Sequence, residues 1–345
     1  MINHINTNIP SIKYLFFIIK KINKIYFLLA FILTFFIILY GYSVHPISNK
    51  LIFNNLFSSD TFNKVGCFKL AEDKKELILD LDNFFKNNNT DKNMEFFPEV
   101  YFVNMPKKFV KFLTPEDVLI RKRVFISILL PILIAEQNII LKEREEILEI
   151  INKINKEPLN DKDISIIKSY SLKYKVNLLG DNIWSYVLAL DELLVRVNII
   201  PHSLALAVAI KETGWGISRF LHEGNSIFSE WSWNENLGII PLNRNVGATH
   251  AVKKYPNLQK SVHSFFLNLN SHSAYEDFRR KRNFYDIKNQ PSNSIYLSNE
   301  LLNYSTERES YIAELKQIIL NNKLEEYDKY KGFLKQFSPI CFKVV

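Results

Sequence analysis

A single acidic residue ends a helix that is otherwise almost wholly apolar. The segment from Pro201 to Thr213 has apolar residues on nearly every side, which is typical of a helix buried in a core. Glu212 falls on the same face as Leu204 and Val208, in the last turn before the natural stop at Gly214. Burial and the negative end of the helix dipole both raise the pKa of a carboxyl group there. A carboxylic acid that stays protonated near neutral pH can act as a general acid.

Position alone leaves a structural role for this acid open. At a frayed helix end, Glu212 could reach solvent or pair with Arg219. The motifs around the helix are therefore needed to decide between the two roles.

Several motifs follow one another from the end of this helix towards the C-terminus. Ala209–Arg219 reads AIKETGWGISR, and later segments read GNSIFS at 224–229, GIIP at 238–241, GATH at 247–250, NLNSHSAYEDF at 268–278 and NYS at 303–305. Their order resembles the glucosaminidase domain of peptidoglycan hydrolases (glycoside hydrolase family 73), whose core is E-[ST]-G-W-G-x-S, and within it the Bax-like proteins. The resemblance runs from roughly Ile183 to Asn321, and a looser one covers Tyr101 to Ile151. Ser229 departs from the pattern, because glycine is usual there.

The resemblance implies a fold and an activity. The fold is mainly α, built around a lysozyme-like α+β glucosaminidase domain in which a cleft separates a helical lobe from a small β-lobe. The activity is hydrolysis of the β-1,4 bond after N-acetylglucosamine in the glycan strands of peptidoglycan. The family's acid, the glutamate of the core motif, is carried onto Glu212, which agrees with the inference made from its position.

Glycoside hydrolysis normally needs a base or nucleophile beside the acid. An inverting site separates the two carboxyl groups by roughly 6.5–9.5 Å and a retaining site by roughly 5–5.5 Å. Glu223, Glu230 and Glu235 are candidates, and Glu230 is the first choice because it follows a turn and precedes an aromatic strand. A solvated surface acid is the alternative for each of them. In another route the substrate's N-acetyl group is the nucleophile, and Tyr255 then positions or polarises it.

Six residues are candidates for binding the glycan: Asn225, Phe228, Trp231, Trp233, Tyr304 and Tyr311. The two tryptophans flank one serine, so a strand would place both rings on one side. There they could stack on sugar faces or pack the lobe against the helices. The asparagine could equally satisfy backbone groups at a turn, and the two tyrosines could be core residues.

Apolar periodicity and composition divide the chain into six predicted segments. They are a cytoplasmic basic segment at 1–24, a transmembrane anchor at 25–43, a spacer at 44–95, a helical extension at 96–180, the glucosaminidase domain at 181–325 and a C-terminal tail at 326–345. Pro131 is expected to kink the apolar stretch from Pro115 to Asn152 or to split it into two helices. Residues 225–255 lack helical periodicity and predict a short hairpin or lobe.

The N-terminal region predicts the compartment. Residues 25–42 form an uncharged apolar run of 18 residues, just long enough to cross a bilayer as a helix. Four lysines precede the run, and no acid occurs in the first 59 residues. This cation excess predicts a single-pass protein of the inner (cytoplasmic) membrane, with its catalytic domain on the periplasmic or extracytoplasmic side. A cleaved signal peptide is the alternative, although the length of the run favours an anchor.

Charge and composition exclude several other functions. Mean hydropathy of −0.06 excludes a polytopic membrane protein. Of the net charge of +8, the four lysines before the apolar run supply +4, which leaves only +4 from 40 basic and 36 acidic residues. That surplus suits an anionic wall polymer, and no helix-turn-helix, zinc or RNP signature supports nucleic-acid binding. Seven scattered His, with Cys67 and Cys341 as the two cysteines, show no ligand spacing, so neither a metal nor another cofactor is expected.

These features together predict a membrane-anchored endo-β-N-acetylglucosaminidase that acts on peptidoglycan by general acid catalysis. One rival is a muramidase or lytic transglycosylase, but the Gly-Leu-Met-Gln stretch that usually follows the acid of that class is absent here. Another rival is a membrane-tethered glycan-binding module without activity. The departure at Ser229 and the unassigned second carboxylate keep that alternative open.

Overall fold

The computed structural model describes residues 67–70, 79, 82–83, 96–97, 100–106, 114–154, 156–242, 244, 247–288, 293–333 and 340–344. All of them belong to one unit of the chain, Thr61–Val345. The predicted basic segment at 1–24 and the predicted anchor at 25–43 lie outside the described residues. Most of the described residues are helical, as the sequence predicts.

A long helix, α1 (Pro115–Ile154), runs through the core. Every residue from Ile128 to Gln137 is buried, and the helix continues through Pro131, so the expected split into two helices is wrong. A proline inside a helix costs about 3 kcal/mol or more, whereas each fully buried leucine or isoleucine contributes about 1.5–3 kcal/mol, and several surround this proline. The part Asp117–Ile154 is long and apolar enough to cross a membrane, but 83% of its most apolar 18-residue window is buried in protein. Such burial is typical of a core helix.

Eight shorter α-helices follow α1 in the described chain. They are α2 (Asp161–Lys173), α3 (Ile183–Arg196), α4 (His202–Thr213), α5 (Arg219–Gly224), α6 (Leu258–Ser271), α7 (Glu276–Ile287), α8 (Ser294–Ser298) and α9 (Glu309–Asn321). Helix α4 is the apolar helix that carries the candidate acid. It packs against α1, α8 and α9, and all of its side chains except Lys211 and Glu212 are buried.

Both ends of α4 are fixed in place. Pro201 offers no side-chain cap at the N-terminal end. Instead, Asp328 accepts hydrogen bonds there from the backbone N–H of Ser203 at 2.8 Å and from its hydroxyl at 2.6 Å. At the C-terminal end Gly214 adopts a left-handed conformation with φ +57°, and its N–H bonds to the carbonyl of Ile210. The stop predicted at this glycine is therefore confirmed.

Eight short strands in the described chain form three small sheets. They are β1 (Cys67–Leu70), β2 (Phe96–Phe97), β3 (Val100–Phe102), β4 (Trp231–Ser232), β5 (Gly238–Ile239), β6 (Ala251–Lys253), β7 (Gly332–Phe333) and β8 (Ile340–Val344). Strands β4, β6 and β5 form an antiparallel sheet in that order, with Trp231 opposite Val252. A Cβ on Gly238 would lie 2.6 Å from that of Ala251, so only glycine allows this close approach. The small lobe predicted between the helices is thus present.

The end of the chain pairs with strands that precede α1. Strand β8 lies between β1 and β3, parallel to both, and β7 pairs in parallel with β2. Cys341 is aligned with Cys67 on one side and with Tyr101 on the other. The sequence analysis did not predict these strands, because each is too short to show an alternating pattern.

Candidate active site

Glu212 lies in the last turn of α4 and faces α9. The Tyr311 hydroxyl donates a hydrogen bond to Glu212 Oε1 at 2.9 Å. Burial raises the pKa of Glu212, while hydrogen bonds from Tyr311 and Ser229 and the charge of Lys211 oppose part of that rise. Arg219, the alternative partner, pairs with Glu223 at 2.9 Å instead. The structure therefore places Glu212 as a partly buried, oriented carboxyl group and not as a frayed surface acid.

A cleft of about 710 Å³ opens beside this carboxyl group. The β-lobe side of the cleft includes Ser229, Glu230, Trp231, Trp233 and Lys253. The helical side includes Asn268, His272, Tyr275, Asn303, Tyr304, Thr306 and Arg308. Because Ser229 both lines the cleft and hydrogen-bonds to Glu212, the acid lies next to the wall of the cleft.

Glu230 is a carboxylate that lines this cleft, whereas Glu212 lies behind Ser229 and is not among the lining residues. It is 8% exposed, and the Tyr255 hydroxyl donates to its Oε2 at 2.6 Å. Lys253 Nζ lies 3.8 Å from its other oxygen. Burial and the charge of Glu230 raise the pKa of Tyr255, so that hydroxyl stays protonated and remains a donor. Glu230, the first choice for the base, and Tyr255, the residue of the alternative acetamide route, are thus in direct contact.

The tyrosines Tyr304 and Tyr311 form a stacked pair behind the cleft. Their ring centroids are 5.7 Å apart with an interplanar angle of 23°. Tyr304 donates to the backbone carbonyl of Phe228 at 2.6 Å, while Tyr311 donates to Glu212. Burial raises the pKa of both hydroxyls well above the usual range. Both hydroxyls therefore donate to groups of the protein itself. Of the two tyrosines, only Tyr304 lines the cleft.

The two tryptophans of the β-lobe form an exposed aromatic surface on the cleft. Trp231 is 48% exposed and Trp233 is 72% exposed. Their rings meet edge to face at 6.0 Å, and the imidazole of His250 stacks on Trp231 at 4.4 Å. Rings this exposed do not pack the lobe against the helices, which favours the sugar-stacking alternative of the sequence analysis.

Two other predicted glycan contacts serve the fold in this structure. Asn225 caps α5 in a left-handed conformation with φ +50°, and its side chain donates to the carbonyl of Tyr255 at 3.1 Å. Phe228 is 1% exposed and stacks on Phe265 at 3.9 Å. Phe228 therefore has no free surface for a ligand, and the amide nitrogen of Asn225 is engaged by the backbone. Among the remaining acids, Glu235 pairs with Arg244 on the surface, so the structure singles out Glu230.

Three cleft residues were missed by the sequence analysis as contributors to the site: the Ser229 hydroxyl, Lys253 and Arg308. Ser229 has φ +49°, a region that residues with a side chain rarely occupy, and the departure from glycine was its one signal. Lys253 and Arg308 come from segments far from Glu212 in sequence. Sequence spacing alone cannot predict that residues from such distant segments lie on the same cleft. Within the described residues, no group of three or more His, Cys, Asp or Glu side chains could hold a metal ion.

Comparison with known proteins agrees with this architecture. Residues 189–324 match the sequence model of the family described as mannosyl-glycoprotein endo-beta-N-acetylglucosaminidase. The chain is also 26% identical over 191 residues to "Protein bax" of Escherichia coli (strain K12), an alignment that covers 55% of this chain and 66% of that protein. No solved structure matches the chain. The chain therefore carries a glucosaminidase-family domain at residues 189–324 and is Bax-like over about half of its length.

Proposed function

We propose that this chain is an endo-β-N-acetylglucosaminidase that cleaves the β-1,4 bond after N-acetylglucosamine in peptidoglycan. The observation that carries the proposal is the partly buried carboxyl group of Glu212, which the Tyr311 hydroxyl orients next to the wall of an aromatic cleft. The glucosaminidase-family domain supports a glycan-hydrolysing role.

Glu212 acts as the general acid. Because burial raises its pKa, a larger fraction of its carboxyl group is protonated near neutral pH than for a solvated glutamate. It donates this proton to the leaving glycosidic oxygen as the bond to the anomeric carbon breaks. The Tyr311 hydroxyl fixes the orientation of the carboxyl group and stabilises the carboxylate that remains.

Glu230 acts as the general base. Its carboxylate lines the cleft, where it accepts a proton from the water that attacks the anomeric carbon on the opposite face. The Tyr255 hydroxyl is directed at Glu230, so Tyr255 is a positioning residue for the base. This contact favours an inverting reaction over the acetamide route, in which the Tyr255 hydroxyl would have to point at the substrate.

Two isosteric variants, E212Q and E230Q, test the proposal on purified cell-wall sacculi. We expect the wild type to release fragments with reducing N-acetylglucosamine ends and E212Q to lose about 10²–10⁴-fold in rate, the contribution typical of acid–base catalysis. E230Q makes the same isosteric change at the proposed base, which lines the cleft. A comparable loss supports Glu230 as the base, while an unchanged rate supports the acetamide route.

Other products or no turnover would identify the rival functions. Fragments with 1,6-anhydro-muramic ends would show a lytic transglycosylase. Equally little release by wild type and E212Q, together with binding of the sacculi, would show a glycan-binding module without activity.

We also propose that residues 25–43 anchor the chain in the cytoplasmic membrane with the domain outside. The support is the uncharged apolar run and the lysines before it. A chain that keeps its N-terminus and sediments with membranes agrees with an anchor. A shortened chain in the soluble fraction agrees instead with a cleaved signal peptide.

A further inference from the structure

Arg308 lines the cleft in a backbone conformation that arginine rarely adopts. It precedes α9 with φ +47° and ψ −112°, where the Cβ atom is sterically disfavoured. Its N–H donates to the carbonyl of Ser305 and its carbonyl accepts from the N–H of Ile312, both at 3.2 Å. The backbone is thus held from both sides. Such conformations cluster at ligand-binding positions, which directs attention to what the side chain does.

The charge of Arg308 has no partner within the part of the chain that the structure describes. No ion pair or side-chain hydrogen bond of its guanidinium occurs among those residues, and the side chain is exposed. The preceding acid, Glu307, is engaged by Lys211 at 3.1 Å. The guanidinium is therefore available to a ligand in the cleft.

The charges of the cleft do not balance without a ligand. Among its described lining residues, Glu230 is the one carboxylate, and Lys253 lies 3.8 Å from it and compensates its charge. Arg308 is then an uncompensated cation in a wall whose remaining residues are neutral polar, aromatic or aliphatic. Neutral sugar rings need hydrogen bonds and aromatic faces, both of which the cleft has without Arg308. A cation in this position indicates an anionic substituent on the sugar.

We propose that Arg308 binds a carboxylate carried by the glycan strand, so that the cleft selects strands with acidic side groups over neutral N-acetylglucosamine polymers. The guanidinium fork matches a carboxylate with two parallel hydrogen bonds. Two sources fit this chemistry on a peptidoglycan strand: the lactyl acid of N-acetylmuramic acid and the peptide joined to it. This inference rests on the proposed function, because it assumes that the cleft holds such a strand.

Binding to the full chain carrying E212Q, which prevents turnover, tests the inference. The ligands are three fragments of equal length: a neutral N-acetylglucosamine oligomer, a strand with free lactyl acids and a strand with stem peptides. We expect R308Q, added to E212Q, to weaken binding of an acidic fragment about tenfold, in line with a charge-assisted hydrogen bond. It should leave binding of the neutral oligomer unchanged. R308K keeps the charge and the backbone strain but loses the two parallel donors of the guanidinium. Its affinity for the acidic fragment should therefore lie between those of Arg308 and R308Q.

The outcomes separate the sources and the hypotheses. The fragment whose binding depends on Arg308 identifies the carboxylate. Because the site is exposed, this dependence should weaken when salt is raised from about 50 to about 300 mM, which shortens the screening length about 2.5-fold. Equal effects of R308Q on neutral and acidic fragments, or no binding of either acidic fragment, would overturn the inference. Failure of the proposed function is seen separately, as equally little release of material from sacculi by wild type and E212Q. If R308Q does not fold, the preference of E212Q itself for acidic over neutral fragments still decides.

Discussion

At the scale of single residues, Ser229 combines an unfavourable backbone with a contact to the acid. A residue with a Cβ atom in the left-handed region costs roughly 1–2 kcal/mol, and glycine would avoid that cost. Glycine would also remove the hydroxyl that hydrogen-bonds to Glu212. The chain therefore tolerates local strain at a position where it provides a donor for the carboxyl group.

The variants S229G and S229A should separate these two effects. Both remove the hydroxyl, so the pKa of Glu212 should rise in both, because one donor that stabilises its carboxylate is lost. The alkaline limb of the pH–activity profile, where the general acid loses its proton, should therefore move to higher pH in both. Only S229G relieves the backbone, and its free energy of unfolding should exceed that of S229A by about 1 kcal/mol.

Profiles of kcat/KM against pH and urea unfolding measure these two consequences. An alkaline limb that stays in place in S229A would show that the hydroxyl does not act on Glu212. A limb that moves in S229G alone would assign the effect to the backbone.

Single-residue inference from the sequence reached the acid but not its partners. An apolar helix that ends in one glutamate before Gly214 was enough to predict a buried Glu212. The contact from Tyr311 spans 99 residues, and the contact of Tyr255 with Glu230, the first choice for the base from the sequence, joins two different segments of the lobe. Neither follows from local spacing, because both depend on how distant segments pack.

At the scale of elements, the helix that carries the acid begins at a cap supplied from far along the chain. Asp328 follows the last helix and takes the place of the missing N-cap of α4 by bonding both polar groups of Ser203. Burial raises the pKa of Asp328 to about 6. A sequence-based search for caps looks next to the helix and cannot find this one.

Asp328 should make stability depend on pH in the acidic range. Its folded pKa of about 6 lies above its ordinary value of 3.8, so the folded state binds more protons between these values. Its contribution to the free energy of unfolding should be fully present below about pH 4 and should be lost as pH rises to about 6, by roughly 3 kcal/mol. D328N cannot titrate, so the difference between wild type and D328N should change across this window and stay constant above it.

Urea unfolding measures this difference at about pH 4, 5, 6 and 7, which cover the titration in steps of one pH unit. D328A is the control for the cap itself and should be about 0.5–2 kcal/mol less stable than D328N at every pH, because neither variant titrates at this position. A difference between wild type and D328N that does not vary with pH would contradict the assignment.

Long elements were predictable from the sequence, and short ones were not. The helical extension and the helices α3, α4, α6, α7 and α9 show apolar periodicity, whereas β2 and β7 have two residues each and α5 has six. At Pro131 the local rule predicted a break, but burial on all sides kept α1 continuous. Packing outweighs local preference there, and that balance is visible only once the neighbours of α1 are known.

At the scale of the whole molecule, the C-terminal segment packs with the domain instead of trailing from it. Leu324 and Tyr330 are at most 3% exposed, and Asp328 between them caps α4. Strands β7 and β8 then pair with strands that precede α1. The predicted boundary at 325/326 lies close to the end of the family resemblance. Because β7 and β8 pair with strands before α1, we expect the C-terminal segment and the domain to unfold together.

Tyr330 offers a test of that coupling. Its ring meets Phe97 edge to face at 5.2 Å, joining the last segment to the strand before α1. Y330A should lower the free energy of unfolding by about 3–5 kcal/mol, the cost typical of removing a buried aromatic ring. Y330F keeps the ring and should lose far less.

Near-UV and far-UV circular dichroism during thermal unfolding report on this effect at two levels. The near-UV signal includes the cleft tryptophans Trp231 and Trp233, which are far from Tyr330 in sequence. If the last segment and the domain form one cooperative unit, both signals should shift together to a lower midpoint in Y330A. A near-UV transition that stays at the wild-type midpoint would instead show that the segment unfolds separately. The acid in α4 would then keep its environment without the segment, which is inconsistent with a cap at Asp328 that holds the start of that helix.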